Sequence, residues 1–109
     1  MQNQPWTLYL VRNNLGNLYC GICTDLARRF SEHASGGKRC AKALKGKGPL
    51  VLEFATYIED RSRALKLEYW LKQQSRAYKL ALVKGHAELP EACQRYSSAA
   101  LKEINQQVY

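Results

Sequence analysis

The segment from Trp6 to Ile22 constrains the fold most, because two strand-like runs flank a short turn in it. Trp6–Arg12 is rich in aromatic and β-branched residues, which favour strands. The next five residues are Asn-Asn-Leu-Gly-Asn, and Asn and Gly accept the backbone angles that turns require. Leu18–Ile22 has the composition of a returning strand. The pattern predicts an antiparallel hairpin, so the fold of this chain has to contain a β-sheet.

The rest of the chain alternates helix and strand signals. In chain order, the predicted elements are a helix from a cap at Thr24 or Asp25 to about Ala34, a basic loop at 38–48 with a short helix at 40–44, a strand at 50–58, helices at 61–73 and 76–84, an irregular connection at 86–95 and a last helix from a cap at Ser97 to about Val108. Asp60 and Ser75 are the predicted caps of the two middle helices. This order predicts an α+β fold, in which a small three-stranded antiparallel sheet is flanked by helices and an extra C-terminal helix follows.

Positive charge is concentrated in one segment of the chain. The sequence has 17 Lys and Arg residues against nine Asp and Glu residues, which gives a formal net charge of +8. Residues 28–47 contain seven of the basic residues and a single acid, Glu32. Such a cluster on a chain of 109 residues is the electrostatic footprint of a polyanion partner. The alternative is a solubilising surface, which does not by itself require one sign in one segment.

The N-terminal sequence and the apolar runs indicate where the protein works. No apolar run approaches the ~20 residues that a membrane-spanning helix needs. The start, MQNQPWTLYL, lacks the charged and apolar regions of a secretory signal. We therefore expect a cytoplasmic protein without a membrane partner. Thiols stay reduced in that compartment, so Cys20, Cys23, Cys40 and Cys93 are expected to be free.

The stretch Cys20–Cys23 has the spacing of a redox dithiol or of half a zinc site. A zinc site usually has a second close pair of ligands, whereas the remaining cysteines and histidines are scattered along this chain. Thioredoxin-like folds resemble the chain in length but carry a cis-proline that faces the dithiol, and the prolines at 5, 49 and 90 do not suit that place. The favoured interpretation of both thiols is a small buried hydrophobic side chain.

The hairpin brings two tyrosines together. With a centre in the Asn pair of the turn, it places Tyr9 directly opposite Tyr19, about 5 Å away on the same face of the sheet. Gly21 shares that face and leaves an opening there. Two buried tyrosines are usually only part of a core, so their neighbours decide the interpretation.

Three further residues indicate a reactive site. Arg29 and His33 are four residues apart, so they share one face of the first helix. Glu68 falls on a partly apolar stripe of the second long helix, an unusual place for a carboxylate unless it pairs, for example with Lys72. Together with the tyrosines these groups fit phosphodiester cleavage, which needs a proton acceptor, a cation on the phosphate and positive charge for the developing oxyanion. A tyrosine can be that base only if nearby cations lower its pKa from about 10, and a lone carboxylate suits Mg²⁺.

These residues resemble the motifs of the GIY-YIG nuclease domain. The resemblance runs from about Trp6 to Lys84 and is carried by Leu8-Tyr9-Leu10, Tyr19-Cys20-Gly21, Arg29 ten residues after the second tyrosine, His33 and a helical Glu68. The stretches 18–26 and 59–65 are most similar to the small stand-alone bacterial, YhbQ-like subgroup. The resemblance implies a nuclease domain over residues 1–85 and an extension over residues 86–109 that is helical and packs on the same domain.

The resemblance also implies an enzyme, a divalent-metal-dependent endonuclease. By resemblance, Glu68 would hold Mg²⁺ or Mn²⁺, Arg29 would stabilise the pentacovalent phosphate, His33 would assist near the base or the scissile phosphate, and Tyr9 or Tyr19 would activate or position the water. The choice between the two tyrosines stays open. The first motif departs from the family pattern, because leucines stand in place of its glycine and isoleucine.

The expected substrate is nucleic acid, specifically DNA, cut with low sequence preference in repair or processing. Phosphate contacts carry little sequence information, and this chain has no room for a separate recognition domain. The basic residues expected to bind DNA are Arg28, Lys38, Arg39, Lys42, Lys45, Lys47 and Lys72. The alternative is a nucleic-acid-binding module without catalysis, which Ile22 favours because some nuclease members have a lysine at that position.

Overall fold

A computed structural model describes residues 5–91 and 93–108. Its elements in chain order are β1 (Trp6–Arg12), β2 (Leu18–Cys23), α1 (Leu26–Ser35), β3 (Val51–Ile58), α2 (Arg61–Lys72), α3 (Arg76–Val83), β4 (Gln94–Arg95) and α4 (Ser98–Val108). The strands form one antiparallel sheet in the order β2-β1-β3-β4. The mixed α+β class is confirmed. The division into a domain over residues 1–85 and an extension over residues 86–109 stays a prediction. Residues 1–4 and 109 of these ranges lie outside the described residues.

The sheet has four strands, so the prediction of three was wrong. The extra strand, β4, pairs with Thr56 and Tyr57 of β3 and falls inside the stretch predicted to be irregular. Long-range bonds hold it there: the Thr56 hydroxyl donates to the carbonyl of Gln94 at 2.9 Å, and the Tyr96 N–H donates to the carbonyl of Ala55 at 2.8 Å. A strand of two residues is too short to show an alternating pattern, which is why the sequence did not reveal it.

The helix caps follow the sequence closely. Asp25, Asp60 and Ser75 each accept a hydrogen bond from the backbone N–H three residues later, as Ser, Thr, Asp and Asn do at helix starts. Gly36 ends α1 in the left-handed conformation, with φ of 68°. The Ser97 side chain accepts from the Ala100 N–H at 3.1 Å at the start of α4.

The basic loop does not contain the short helix that was predicted at residues 40–44. The Leu44 and Lys45 N–H groups both donate to the carbonyl of Ala41, at 2.9 and 3.1 Å, which closes turns in place of a helix. Gly46 follows with a positive φ of 73°, and this left-handed residue stops any helical continuation. The loop is tied to the hairpin, because the Asn14 N–H donates to the carbonyl of Lys47 at 2.8 Å.

The hairpin register differs from the prediction by two residues. Tyr9 lies opposite Gly21, and Tyr19 lies opposite Val11. The reason is the turn, since the Asn13 side chain accepts from the N–H groups of residues 15 and 17 at 2.9 and 3.0 Å and so moves the centre of the hairpin to residue 15. A shift of two keeps every side chain on its face, so the tyrosines are diagonal neighbours on the same side of the sheet.

Each face of the sheet carries its own hydrophobic core. On one face, sheet side chains that include Tyr9 and Val11 pack against Phe30 of α1, the basic loop and α4. On the other face, α2 and α3 cover side chains that include Leu8 and Leu10. Within the described residues β2 pairs with β1 alone, so it forms an edge of the sheet. Groups from both layers can therefore meet around that edge.

Candidate active site

The Tyr9 side chain lies over Gly21 and is 1% exposed. A Cβ atom built on Gly21 would lie 2.4 Å from the Tyr9 hydroxyl oxygen and 2.6 Å from the adjoining ring carbon. Any side chain at Gly21 would therefore displace the phenol. The space that glycine leaves on this face of β2 is therefore filled by the Tyr9 ring.

Tyr9, Tyr19 and His33 form a cluster of three rings. The ring centres are 6.4 Å apart for the two tyrosines, 5.9 Å for Tyr9 and His33, and 5.5 Å for Tyr19 and His33. The last pair meets edge to face, a favourable geometry for aromatic rings. β1, β2 and α1 each supply one ring, which brings together three of the predicted site residues.

His33 is fully buried and hydrogen-bonded at both ring nitrogens. Its Nε2 lies 2.8 Å from the Tyr9 hydroxyl oxygen, and its Nδ1 accepts from the Ala41 N–H at 3.2 Å. Burial, with a smaller effect from Arg29, lowers the pKa of His33 to about 4, so the ring is neutral at neutral pH. A backbone N–H can only donate, so Nδ1 carries no proton and the proton of the neutral ring is on Nε2. His33 therefore donates to the Tyr9 oxygen.

Arg29 is held in place by an ion pair and a backbone carbonyl. Its Nη1 donates to Glu32 at 3.0 Å and to the carbonyl of Arg39 at 2.7 Å. Glu32 also pairs with the Arg39 side chain at 3.6 Å. Arg29 is close enough to Tyr9 to oppose the effect of burial on the phenol's pKa. Sequence reasoning missed the positioning role of Glu32, although its place as the single acid of the basic segment, three residues after Arg29, could have revealed it.

In the protein alone, neither tyrosine has the lowered pKa that a base would require. Burial is the largest effect on both phenols, and it raises the pKa of Tyr9 and of Tyr19 above the ordinary value of 10. Positive charges lower the pKa of both tyrosines, but burial outweighs them. Arg29 acts on both rings, and Lys72 acts on Tyr19. Both tyrosines are therefore neutral phenols at neutral pH.

Glu68 approaches the ring cluster from the opposite layer of the fold. Its side chain is 19% exposed and pairs with Lys72 at 3.5 Å, the pairing expected from the sequence. The negative charge of Glu68 raises the pKa of Tyr19 on one face of β2 and of Cys20 on the other. Glu68 lies on α2, which packs against β2, so its charge acts on residues of both faces of that strand. Of the five predicted catalytic residues, the structure groups Tyr9, Tyr19, His33 and Arg29, and Glu68 acts on Tyr19 through its charge from α2.

The donors at this edge suit a hard cation held mainly by other ligands. Among the residues that the structure describes, no three His, Cys, Asp or Glu side chains gather as a metal cage. Glu68 offers a single carboxylate at the edge. Mg²⁺ is commonly bound by one or two carboxylates, with waters and substrate phosphate oxygens completing its shell, so the residues fit such an ion.

The predicted DNA-binding residues lie on two sides of the site. Arg28, Lys38, Arg39, Lys42 and Lys45 are exposed on α1 and the basic loop, and Lys47 is half-buried in the same loop. Arg39 adjoins Arg29 through Glu32, whereas Lys72 adjoins Glu68 on α2. Lys47 lies instead beside the hairpin turn, where its carbonyl binds Asn14.

Cys20 and Cys23 belong to different cores. Cys20 packs in the layer of α2 and α3, and Cys23 packs in the layer of α1 and α4. Burial raises the pKa of Cys20 to about 12 and that of Cys23 to about 11, so both are unreactive thiols. The four cysteines are free, as expected, and Cys20 and Cys23 do not form a redox pair.

Comparison with known proteins identifies the family. The family model described as the GIY-YIG catalytic domain matches residues 5–81. The chain belongs to the GIY-YIG family. A UPF0213 protein of Vibrio campbellii is 51% identical over 84 residues, which are 77% of this chain and 79% of the relative. The UPF0213 protein YhbQ of Salmonella typhimurium is 51% identical over 79 residues, 72% of this chain and 77% of the relative.

A solved structure is also similar to this GIY-YIG protein. The solution NMR structure of the UPF0213 protein BH0048 from Bacillus halodurans is 34% identical, covers 73% of this chain and 83% of the other, and has a TM-score of 0.48. GIY-YIG proteins are a nuclease family, which assigns nucleic acid as the class of substrate. In the described part of the chain, no helix is both long and apolar enough to cross a membrane.

Proposed function

We propose that this protein is a divalent-metal-dependent endonuclease that hydrolyses DNA phosphodiester bonds with low sequence preference. The observation that carries the proposal is the bond between His33 and the Tyr9 oxygen, beside an Arg29 that Glu32 holds in place. His33 and Arg29 both act on the Tyr9 phenol, His33 through a hydrogen bond and Arg29 through its positive charge. Glu68 lies on α2 next to the same strand, β2. Such an activity suits DNA repair or processing.

Tyr9 is the proposed proton acceptor for the attacking water. Its oxygen receives the Nε2–H of His33, and Arg29 lies within range to lower its pKa. Hydrogen bonds and positive charge at the oxygen favour the phenolate over the phenol. Burial opposes them, so further positive charge at the site is needed before Tyr9 can act as a base. Tyr19 packs against the same rings and is proposed to position the water.

Arg29 is proposed to stabilise the negative charge that develops on the phosphate. A guanidinium has five N–H donors, and Glu32 and the Arg39 carbonyl both use Nη1. The other donors stay available for Tyr9 and for phosphate oxygens. A donor fixed before the reaction costs no reorganisation when the charge appears, which is how such groups accelerate acyl and phosphoryl transfer.

Glu68 is proposed to hold Mg²⁺ or Mn²⁺. The bound ion would supply Lewis-acid charge at the scissile phosphate. The exposed basic residues of α1 and the basic loop would hold the DNA backbone, which gives affinity without reading sequence. Lys72, which now pairs with Glu68, would turn to the backbone as well.

The decisive experiment compares cleavage of labelled single-stranded, duplex, nicked and branched DNA in Mg²⁺ and in chelator. Glu68→Ala and Arg29→Ala should each lower kcat by about 10²–10³-fold. Their matched controls are Glu59→Ala and Arg63→Ala, which remove an exposed ion pair at the start of α2 and should leave the rate unchanged. Cleavage that persists in chelator, or in both site variants, would overturn the proposal.

Two further arms refine the assignment of roles. Tyr9→Phe should lower kcat by about 10²–10⁴-fold, the range for loss of a general base, and Tyr19→Phe by clearly less. The reverse order would move the proton acceptor to Tyr19. RNA of the same sequence tests the choice of DNA, since faster cleavage of RNA would reassign the substrate.

The second function to consider is a nucleic-acid-binding module without catalysis. Ile22 favours it, because this half-buried side chain packs with the α2 and α3 core and supplies no charge to the tyrosines. Lys72 opposes it, since its charge does reach Tyr19. Wild-type protein that binds every DNA form but cuts none in Mg²⁺ or Mn²⁺ would establish the module.

A further inference from the structure

The outer side of α2 carries an exposed aromatic residue beside the site. Tyr69 is 73% exposed, and Leu65, one helical turn earlier, is 38% exposed. We call Leu65 and Tyr69 together the α2 strip. The buried residues of this helix, Ala64, Leu67 and Leu71, lie on its other side against the sheet. Packing therefore does not account for the strip.

Two lysines flank the strip, and one of them connects it to Glu68. Lys66 precedes Tyr69 by three residues and Lys72 follows it by three, so both are neighbours of the ring on the helix surface. Lys72 is also four residues after Glu68 and pairs with it at 3.5 Å. Single exposed apolar residues are common on proteins. Tyr69 differs because its neighbour on the helix, Lys72, also pairs with Glu68 of the candidate active site.

We propose that the α2 strip binds an unpaired nucleobase of the strand whose backbone lies at Glu68. The Tyr69 ring would stack on the base, and Lys66 and Lys72 would bind the adjoining phosphates, the combination that single-strand-binding surfaces use. The negative phosphates of a nucleic acid complement the positive charges of Lys66 and Lys72. An apolar protein segment would not use these charges, so a nucleic acid fits the strip better. This inference rests on the proposed function and narrows its substrate.

The consequence is a preference for DNA with unpaired bases near the cleavage point. In an intact duplex every base is already stacked and paired, so its faces are not free for a protein ring, and unstacking a base costs a few kcal/mol. Single strands, flaps and branch points present unpaired bases without that cost. The α2 strip would therefore select the structure of the substrate and leave its sequence unread.

The test measures binding in chelator, where cleavage does not interfere. The probes are a fluorescent single-stranded oligonucleotide and a blunt duplex of the same sequence, followed by anisotropy. Tyr69→Ala should weaken single-strand binding by roughly 5- to 150-fold, the range for loss of one stacked base, and duplex binding by less than about twofold. Tyr69→Phe keeps the ring and should keep the affinity.

Controls separate stacking from charge and from general effects on the surface. Lys66→Ala should weaken both probes alike and reduce the salt dependence by about one phosphate contact. Leu15→Ala removes another exposed apolar side chain, 70% exposed in the hairpin turn, and should change neither probe. With 2-aminopurine in the single strand, wild type should quench its fluorescence by stacking and Tyr69→Ala should not.

The outcomes distinguish this inference from the proposed function. Equal loss on both probes, no loss, or no binding of single strands by wild type would overturn the α2 strip as a base platform, whether or not the protein cuts DNA. A Tyr69→Ala variant that changes only self-association would also overturn it and make the strip a protein contact. If Tyr69→Ala loses single-strand binding selectively while the wild-type protein cuts no DNA, the strip is supported as a base platform and the nuclease proposal is refuted.

Discussion

Replacing Gly21 by alanine tests the central geometric feature of the site. The added Cβ would lie 2.4 Å from the Tyr9 oxygen, whereas an ordinary contact begins at 3.4 Å, so the phenol has to move by about 1 Å. Tyr9 is fully buried, and its neighbours leave little room for that movement. Overpacking of this kind costs about 1–3 kcal/mol of unfolding free energy. For a domain of this size the melting temperature should fall by roughly 5–20 °C.

Thermal and urea unfolding followed by circular dichroism measure this cost. Gly37→Ala is the matched control, because its nearest neighbour would be the Ser35 hydroxyl at 3.5 Å and the site is exposed. It should change stability by less than about 0.5 kcal/mol. In a Tyr9→Leu background the shorter side chain relieves the clash, so Gly21→Ala should lose most of its cost.

The result that refutes the reasoning is equally specific. If Gly21→Ala is as mild as the control, or costs the same with and without the Tyr9 ring, the phenol does not occupy the space over β2. The same displacement should break the 2.8 Å bond to His33, so cleavage should fall along with stability. A destabilised variant with full activity would contradict that link.

Three further predictions address other parts of the site. NMR titration of His33 should give a pKa of about 4, below its unfolded value near 6.5. The contribution of His33 to the unfolding free energy is then complete above about pH 6.5 and declines as the pH falls toward 4. A measured pKa near 6.5 would contradict the buried neutral ring. Glu32→Gln should lower kcat roughly tenfold with little change in KM, because Arg29 loses a charge-assisted bond; an unchanged kcat would exclude the positioning role. Oxidation should yield no disulfide between Cys20 and Cys23 by peptide mapping, and its appearance would contradict their placement on opposite faces.

The elements that depend on nearby residues were predictable from the sequence. The caps at Asp25, Asp60 and Ser75 use side chains that bond their own helix, so local sequence suffices to place them. The strand β4 depends on partners some 40 residues away, and the hairpin register depends on how the Asn13 side chain folds the turn. Neither is visible in a pattern of apolar residues.

The same distinction applies to the site. The sequence indicated which side chains would share a face, and the shared face of Tyr9 and Tyr19 survived the error in register because the error was even. It could not indicate the sign of the tyrosine pKa shifts, which depends on how far burial outweighs Arg29 and Lys72. Nor could it show that a backbone N–H, that of Ala41, sets the proton position on His33.

The open edge of β2 has a consequence for solubility as well as for chemistry. An unpaired strand edge invites the edge of another molecule to continue the sheet, and charged side chains at the margin are a common defence. Glu68 and Lys72 stand beside this margin, so the groups that would serve the reaction also keep neighbouring chains apart. We expect that removing both charges together would promote aggregation of otherwise folded protein.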